Sequence, residues 1–343
     1  MAEELQRRAS IIFQPLPEGS RQSGEATLNV RYAALVVNVV DAKKIPGPPG
    51  ASNILVAPLD ADGAPRTVGP FAMVAHIKMP TLAPGALPVD ADVRPHPHIG
   101  LTAISYVIEG AITHRDSLGN RRELGAGGVG GTVSGLGVVH SERFERIRLH
   151  GGRFEMFQIL LALPDGSEDI EPSFFFRARE ELATSKGEGA SACWLLDAPP
   201  GAPTSADGMP TTPILLADVS LEPGAQWPVP EVAERALYVL EGEVEIGASR
   251  LRAGQVAVLG AGEVSLRALP LTQTRAARLL AFGGAGVGPR YLWWNYLHSS
   301  LDRIEAAKAE WRQGRVKLPV GDTESFTPCP ADDGRPLVRL NQR

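Results

Sequence analysis

The sequence predicts an all-β protein in which one β-rich unit is used twice and a short helix follows near the C-terminus. Three observations predict it. Apolar runs are short, often β-branched and broken roughly every eight to twelve residues by glycine, proline or charge, the rhythm of a sandwich or a barrel; examples are NILVAPL, AISYVIEG, MFQILLALP, PILLADVSL, LYVLEG and QVAVLG. One segment, 299–314, spaces its apolar residues at a helical period instead. A passage at 94–110 recurs at 226–242.

The 343 residues suffice for two domains, each with its own core. Lys and Arg number 34 against 39 Asp and Glu, a net charge of −5, and the basic runs are short and flanked by acids, so no nucleic-acid footprint stands out. Cys193 and Cys329 are too few for a disulfide scaffold and are not spaced as a zinc knuckle or redox pair, which points to a reducing compartment. The opening MAEELQRRASIIFQ has no apolar signal core, and AALVVNVV at 33–40 is too short to span a bilayer. The expectation is a soluble cytoplasmic protein that binds neither membrane nor nucleic acid.

Along the chain, the repeat organises the reading. Tyr106-Val107-Ile108-Glu109-Gly110 falls on Tyr238-Val239-Leu240-Glu241-Gly242 at an offset of 132, and LGAGGV at 124–129 falls on LRAGQV at 251–256 at an offset of 127. Between about 164 and 212 the composition turns to PDGSEDIEP, TSKGEGAS and PPGAPTSADGMP, a connector. The expected domains are therefore 1–163 and 164–343. In SSLDRIEAAKAEWRQG, Leu301, Ile304, Ala307 and Trp311 form one stripe. Ser299 with Asp302 suits a capping box and Gly314 a C-terminal stop.

Of seven histidines, two lie in RPHPHIG as His96 and His98. Residues i and i+2 of a strand share a face, and Pro97 restricts the pair to an edge or rim. VVHSERF supplies His140 and Glu142 with the same spacing. Two such pairs on facing strands make a pocket of three imidazoles and one carboxylate, which suits iron, manganese, nickel, copper or zinc, with positions left open on an octahedral ion. On the repeat alignment His96, His98, His140 and Glu142 become Pro228, Pro230, Arg267 and Leu269, so only the first unit carries the set. His76, His114 and His150 lack comparable partners, and His114 in THRDS is expected to hydrogen-bond in a turn. GAGGVG at 125–130 matches a dinucleotide fingerprint in letters only, because TVSGLGVVH follows it where a helix is required. No G-x-S-x-G nucleophile elbow is present.

RPHPHIGLTAISYVIEGAITHRDSLG at 94–119, SGLGVVHSERF at 134–144, GPFAMVAH near 69, LPDGSEDIEPSF near 163 and the C-terminal SSLDRIEAAKAEWRQGRVKLP with ESFTP together resemble the pirin family of bicupins. The resemblance touches most of the chain and is weakest at 184–235. It implies two tandem cupin barrels, the N-terminal one metal-binding and the C-terminal one degenerate, with a mononuclear iron on His96, His98, His140 and Glu142. Some members are similar to quercetin 2,3-dioxygenases, which open a flavonol ring with dioxygen; others look like iron-dependent regulators that bind partner proteins. The chain departs from the family in reading Thr102 where many relatives have Glu, and Gly131, Thr132 and Leu136 where relatives commonly have Trp, Met and Arg. If those side chains line the pocket mouth, the site is roomier and less positive. The leading expectation is a quercetinase-type dioxygenase acting on a flavonol-like aromatic and O2, with Glu142 as general base. The alternative is a non-enzymatic iron protein whose redox state tunes binding to a protein partner.

Overall fold

The computed structural model describes residues 36–45, 52–57, 59–61, 64–196, 214–270, 277–331 and 338–340. The opening MAEELQRRASIIFQ and the PPGAPTSADGMP part of the connector lie outside them.

Alternating apolar residues in short runs give strands with one buried face, and these assemble twice into the same two-layer barrel. In the first barrel a seven-stranded sheet runs in the order Ser173–Arg177, Val129–Val133, Leu101–Glu109, Gly152–Ala162, Phe71–Leu82, Ser52–Ala57, Lys43–Ile45. A four-stranded sheet, Arg121–Gly125, Ala111–Asp116, Val138–Arg143, Val93–His98, closes it. The second barrel repeats the plan. Its seven strands run Val36–Asp41, Gln255–Leu259, Glu234–Glu241, Ala277–Gly284, Ile214–Leu221, Ala190–Trp194, Thr184–Gly187. Its four run Gln226–Val229, Val264–Ala268, Glu243–Ile246, Ser249–Arg252.

The repeat read from the letters is a repeat of register. Val129 lies opposite Tyr106 in the first barrel and Val256 opposite Tyr238 in the second, the residues matched by offsets of 127 and 132. Pairing also crosses the expected 163/164 boundary in both directions. Ser173–Arg177 joins the first barrel's sheet, and Val36–Asp41 joins the second's by pairing with Gln255–Leu259.

The large sheets pack face to face through one apolar layer that includes Ile104, Tyr106, Phe157, Leu216, Tyr238 and Leu280. Phe71 and Phe282 meet edge to face across it, ring centroids 5.3 Å apart. Tyr106, Asp218, Arg278, His76, Tyr238 and Glu155 pair their polar groups with one another within the layer. The Tyr106 hydroxyl donates to Asp218 Oδ2 at 2.5 Å, and the Arg278 guanidinium binds the same carboxylate. His76 contacts Tyr238 Oη at 3.0 Å and Glu155 Oε1 at 2.8 Å.

After the second barrel the chain returns to the first. The hairpin strands Arg290–Trp293 and Tyr296–His298 lead to a helix, Leu301–Arg312. Ile99 forms a parallel bridge with Tyr296, and Ile99, Trp293, Tyr296, Ile304 and Ala307 share one apolar cluster. The helix stripe is buried at Ile304, Ala307 and Trp311, and Leu301 is exposed. Its cap is Ser300, whose hydroxyl accepts from the Arg303 N–H at 3.3 Å. The expected cap, Ser299, is drawn instead to Glu168: its N–H and hydroxyl donate to the two carboxylate oxygens at 2.7 and 2.5 Å. Gly314 ends the helix in the left-handed region, φ 64°.

Gly100 shows how closely this return packs. Its φ is 67°, and a Cβ there would lie 2.0 Å from the Leu297 carbonyl oxygen. Gly100→Ala therefore combines backbone strain with an overlap that neither strand relieves alone. We expect a loss of about 2 kcal/mol or more, read as a lower denaturation midpoint at unchanged slope. A midpoint within error of wild type would refute the close approach.

Candidate metal centre

Val93–His98 is an edge strand of its sheet, which is where a strand with prolines at 95 and 97 can sit. Parity turns His96 and His98 into the barrel. Across from it, His140 lies opposite His96 and Val138 opposite His98, and the register slips between His140 and Glu142. The result brings three imidazoles to one point: His140 Nε2 is 2.9 Å from both His96 Nε2 and His98 Nε2. All three residues are buried.

The other ring nitrogens show what the cluster is suited to. His96 Nδ1 sits 2.9 Å from the Arg94 carbonyl oxygen and His98 Nδ1 3.0 Å from the Asn295 carbonyl oxygen. A carbonyl only accepts, so each Nδ1 carries the proton and each Nε2 presents a lone pair inward, the usual outer support of a metal-bound histidine. Burial holds the His96 pKa down to about 4. Burial, and then the charge of its histidine neighbours, drives His98 and His140 well below the ordinary value. All three are neutral at pH 7, the form that binds metal.

Glu142 stands one step out from the triad. Its Oε1 is 3.6 Å from His140 Nε2, and its buried Oε2 has no hydrogen-bond partner. Burial pushes its carboxyl up to about 8, with the Arg143 charge opposing. Converging lone pairs beside a buried carboxyl with an unsatisfied oxygen fit a first-row divalent cation, whose charge would restore ionisation of the acid. Among the described residues, His96, His98 and His140 are the only group of this kind.

The remaining histidines divide by location. His114 lies in the strand Ala111–Asp116 rather than in a turn; its Nε2 hydrogen-bonds Asp116 Oδ2 at 3.1 Å, and Asp116 in turn holds the backbone of Leu118 and Asn120. The letters did not reveal that its ring stacks on Phe174 at 4.6 Å and stands 5.4 Å from His140. The signal lay in pairing, since His114 lies opposite Glu142. His76 belongs to the layer between the barrels, and His150 closes the short helix Glu145–His150. His298, which no motif singled out, lies 3.4 Å from Asp169.

Two details of the sequence reading need correction. In the second barrel the pairing Val264 to Val229 and Leu266 to Trp227 repeats Val138 to His98 and His140 to His96. The inward positions equivalent to the histidines are thus Trp227, Val229 and Leu266, one residue from the aligned Pro228, Pro230 and Arg267. Alignment gaps fell in loops, and a one-residue slip reverses a strand's faces. Trp227, Val229, Leu266 and Ala268 lie in an apolar cluster and Arg267 is outside, paired with Glu245. The other correction concerns the pocket mouth. Thr132 is fully buried on the face shared with Ala103 and Phe174, and Gly131 faces the opposite way, where a Cβ would lie 2.7 Å from the Phe175 ring. Of the three departures only Leu136 reaches the surface, lining a cavity of about 200 Å³ with His98, Tyr296 and Lys317.

Two such barrels, one with a buried three-histidine cluster and the other filled with apolar side chains, define a bicupin with a single candidate metal centre. Residues 57–161 match the pirin family and residues 216–317 the pirin C-terminal cupin domain. The chain belongs to the pirin family. A pirin-like protein of Caulobacter vibrioides is 41% identical over 270 residues, covering 78% of this chain and 91% of the relative. A Pseudomonas aeruginosa protein, provisionally named a quercetin 2,3-dioxygenase, is 30% identical over 256 residues, 74% of this chain and 77% of its own. The crystal structure of quercetin 2,3-dioxygenase from Acinetobacter baumannii shares the fold, with a TM-score of 0.73 at 22% identity, covering 87% of this chain and 96% of that one. Among the described residues no helix is long and apolar enough to cross a membrane.

Proposed function

We propose that the chain is an iron-dependent dioxygenase of the quercetinase type, with iron held by His96, His98, His140 and Glu142 and a flavonol-like aromatic opened by O2. The observation that carries this reading is the convergence of three buried Nε2 atoms, two of them with their Nδ1 protons committed to backbone carbonyls. The name of the P. aeruginosa relative supports the substrate class. When bound, the metal supplies Lewis acidity and open positions for substrate and O2.

The rest falls to the chain. Carbonyls of Arg94 and Asn295 orient two rings. Glu142 Oε2, unpartnered and buried, is the acceptor for a substrate hydroxyl proton. Phe174, Ala103 and Thr132 wall the barrel interior beside His114 and keep bulk water from it. In this reading 1–163 carries the chemistry and 164–343 covers and braces it, in a cytoplasmic, reducing setting.

The test is metal content of protein purified without added metal, beside a His98→Ala, Glu142→Ala double variant, followed by O2 uptake and carbon monoxide release with quercetin. Near-stoichiometric metal that the variant loses, with turnover, supports the dioxygenase. Because imidazole and carboxylate also suit manganese, nickel, copper and zinc, each is loaded in turn. Metal without turnover across several flavonols and metals shifts the reading to the iron-binding regulator, which predicts a partner retained by one redox state only. Protein that takes up no metal refutes the ligand assignment.

A further inference from the structure

The strands that carry the candidate ligands are braced from outside by chain that follows the second barrel. Thr327 N–H donates to the Pro95 carbonyl at 2.9 Å, and the Thr327 hydroxyl to the Arg94 carbonyl at 3.3 Å. That Arg94 oxygen is also the one that orients His96. Thr327 is itself pinned by the helix, its carbonyl accepting from Trp311 Nε1 at 3.0 Å.

Asp322 does the same for the other strand. It is nearly buried, and its Oδ2 accepts from the Ser141 hydroxyl at 2.6 Å and from Arg143 Nε at 2.7 Å, while Arg143 Nη2 binds Oδ1. Ser141 and Arg143 are the residues on either side of Glu142, facing away from it by strand alternation. On the Val93–His98 side the register slips here, so the ladder to Ala111–Asp116, which continues in register, holds this stretch from one side only. Nearby, Arg115 Nη1 donates to the Gly321 carbonyl at 2.7 Å.

We propose that Asp322 is a positioning residue for the metal centre: by clamping Ser141 and Arg143 it fixes the backbone that aims Glu142, and the tail from Gly314 to Thr327 is thereby part of the site's outer shell. Glu142 has no hydrogen bond of its own to hold Oε2 in place, so its aim depends on its backbone. Asp322 also occupies the Arg143 guanidinium, whose other acidic neighbour, Asp92, is 3.5 Å away. Without Asp322, Arg143 is free to turn from the tail, and its charge competes with the metal for the Glu142 carboxylate.

This inference rests on reading His96, His98, His140 and Glu142 as ligands. Its test loads full-length protein with cobalt(II) and follows the visible ligand-field spectrum and the rate of cobalt loss to EDTA. Asp322→Asn and Asp322→Ala are expected to change the spectrum and to speed cobalt loss about 10- to 100-fold, the scale of outer-shell losses at metal sites. Ser141→Ala, which removes one hydroxyl, should act in the same direction by a smaller factor, and it keeps the test open if the Asp322 variants do not fold. The control is Arg235→Met in the second barrel, where Arg235 holds the carbonyls of Val229, Pro230, Gly260 and Gly262. It should lower thermal stability and leave spectrum and release unchanged. Wild-type release in both Asp322→Asn and Ser141→Ala, or release that follows Tm equally in the control, overturns the proposal. Wild-type protein that takes up no cobalt overturns the ligand reading and this inference together.

Discussion

Replacing His140 by Ala is expected to weaken metal binding by at least about 100-fold while leaving the metal-free fold in place. His140 is the common neighbour of the triad, its Nε2 2.9 Å from both other rings. Its loss leaves His96, His98 and the outlying Glu142. If a set of about four ligands supplies some 10–16 kcal/mol, one ligand is worth about 2.5–4 kcal/mol, a factor on the order of 100 to 1,000. The metal-free protein responds differently, because truncation removes a crowded, desolvated ring whose Nδ1 had no partner. Cavity cost and relief of crowding oppose each other, so the apo Tm should move little. A ligand present at a thousand times its Kd adds about 4 kcal/mol to the wild type, and that increment is what the variant should lose. Thermal melts with and without metal separate the two effects. A metal-induced rise in Tm that survives in His140→Ala would place the ion elsewhere.

The same cluster sets a pH dependence for metal-free protein. The folded-state pKa values of His96, His98 and His140 are depressed, so below the ordinary value of 6.5 the unfolded chain binds protons that the folded chain does not. Stability contributed by the neutral rings is thus full above about pH 6.5 and falls as the pH drops; the His96 share stops falling once the pH passes about 4. Glu142, raised to about 8, opposes this slope above pH 4.5 in wild type and variant alike, so the change on His140→Ala is the reading: the variant should lose part of the histidine slope, measured as denaturation midpoints between pH 7 and 4.

Much of this was legible in the letters because β-structure has a period of two. His-x-His and His-x-Glu announce shared faces without any tertiary information, and Tyr106 and Tyr238 mark the same register twice. The rest depended on pairings that sequence spacing does not encode. His114 reaches the centre because its strand lies beside Val138–Arg143. The support for His98 comes from Asn295, 197 positions away. Ser299 looked like a cap until Glu168, 131 positions back, claimed it. Strand parity is local, and outer-shell contacts are not.

The same distinction makes Arg290 the position outside the metal centre where substitution should cost most. Its side chain is 2% exposed, with Nη2 2.9 Å from the Leu163 carbonyl and 2.8 Å from Asp165 Oδ1, and Nε 2.9 Å from Glu168 Oε1. Glu168 is 7% exposed, and among the described residues its other neighbours are Ser299 and, at 3.9 Å, His298. Arg290→Met keeps most of the volume and leaves that carboxylate buried without its cation, which costs about 3–5 kcal/mol. The stretch 163–168 would then part from the hairpin that presents Asn295 to His98. Adding Glu168→Gln should recover much of the loss, because two neutral groups carry no uncompensated charge. Urea midpoints of the two single variants and the double close the cycle. A single-variant cost under about 1 kcal/mol would mean that Glu168 finds another cation or water, and that the return of the chain to the first barrel is held by the apolar cluster of Ile99, Trp293 and Tyr296 instead.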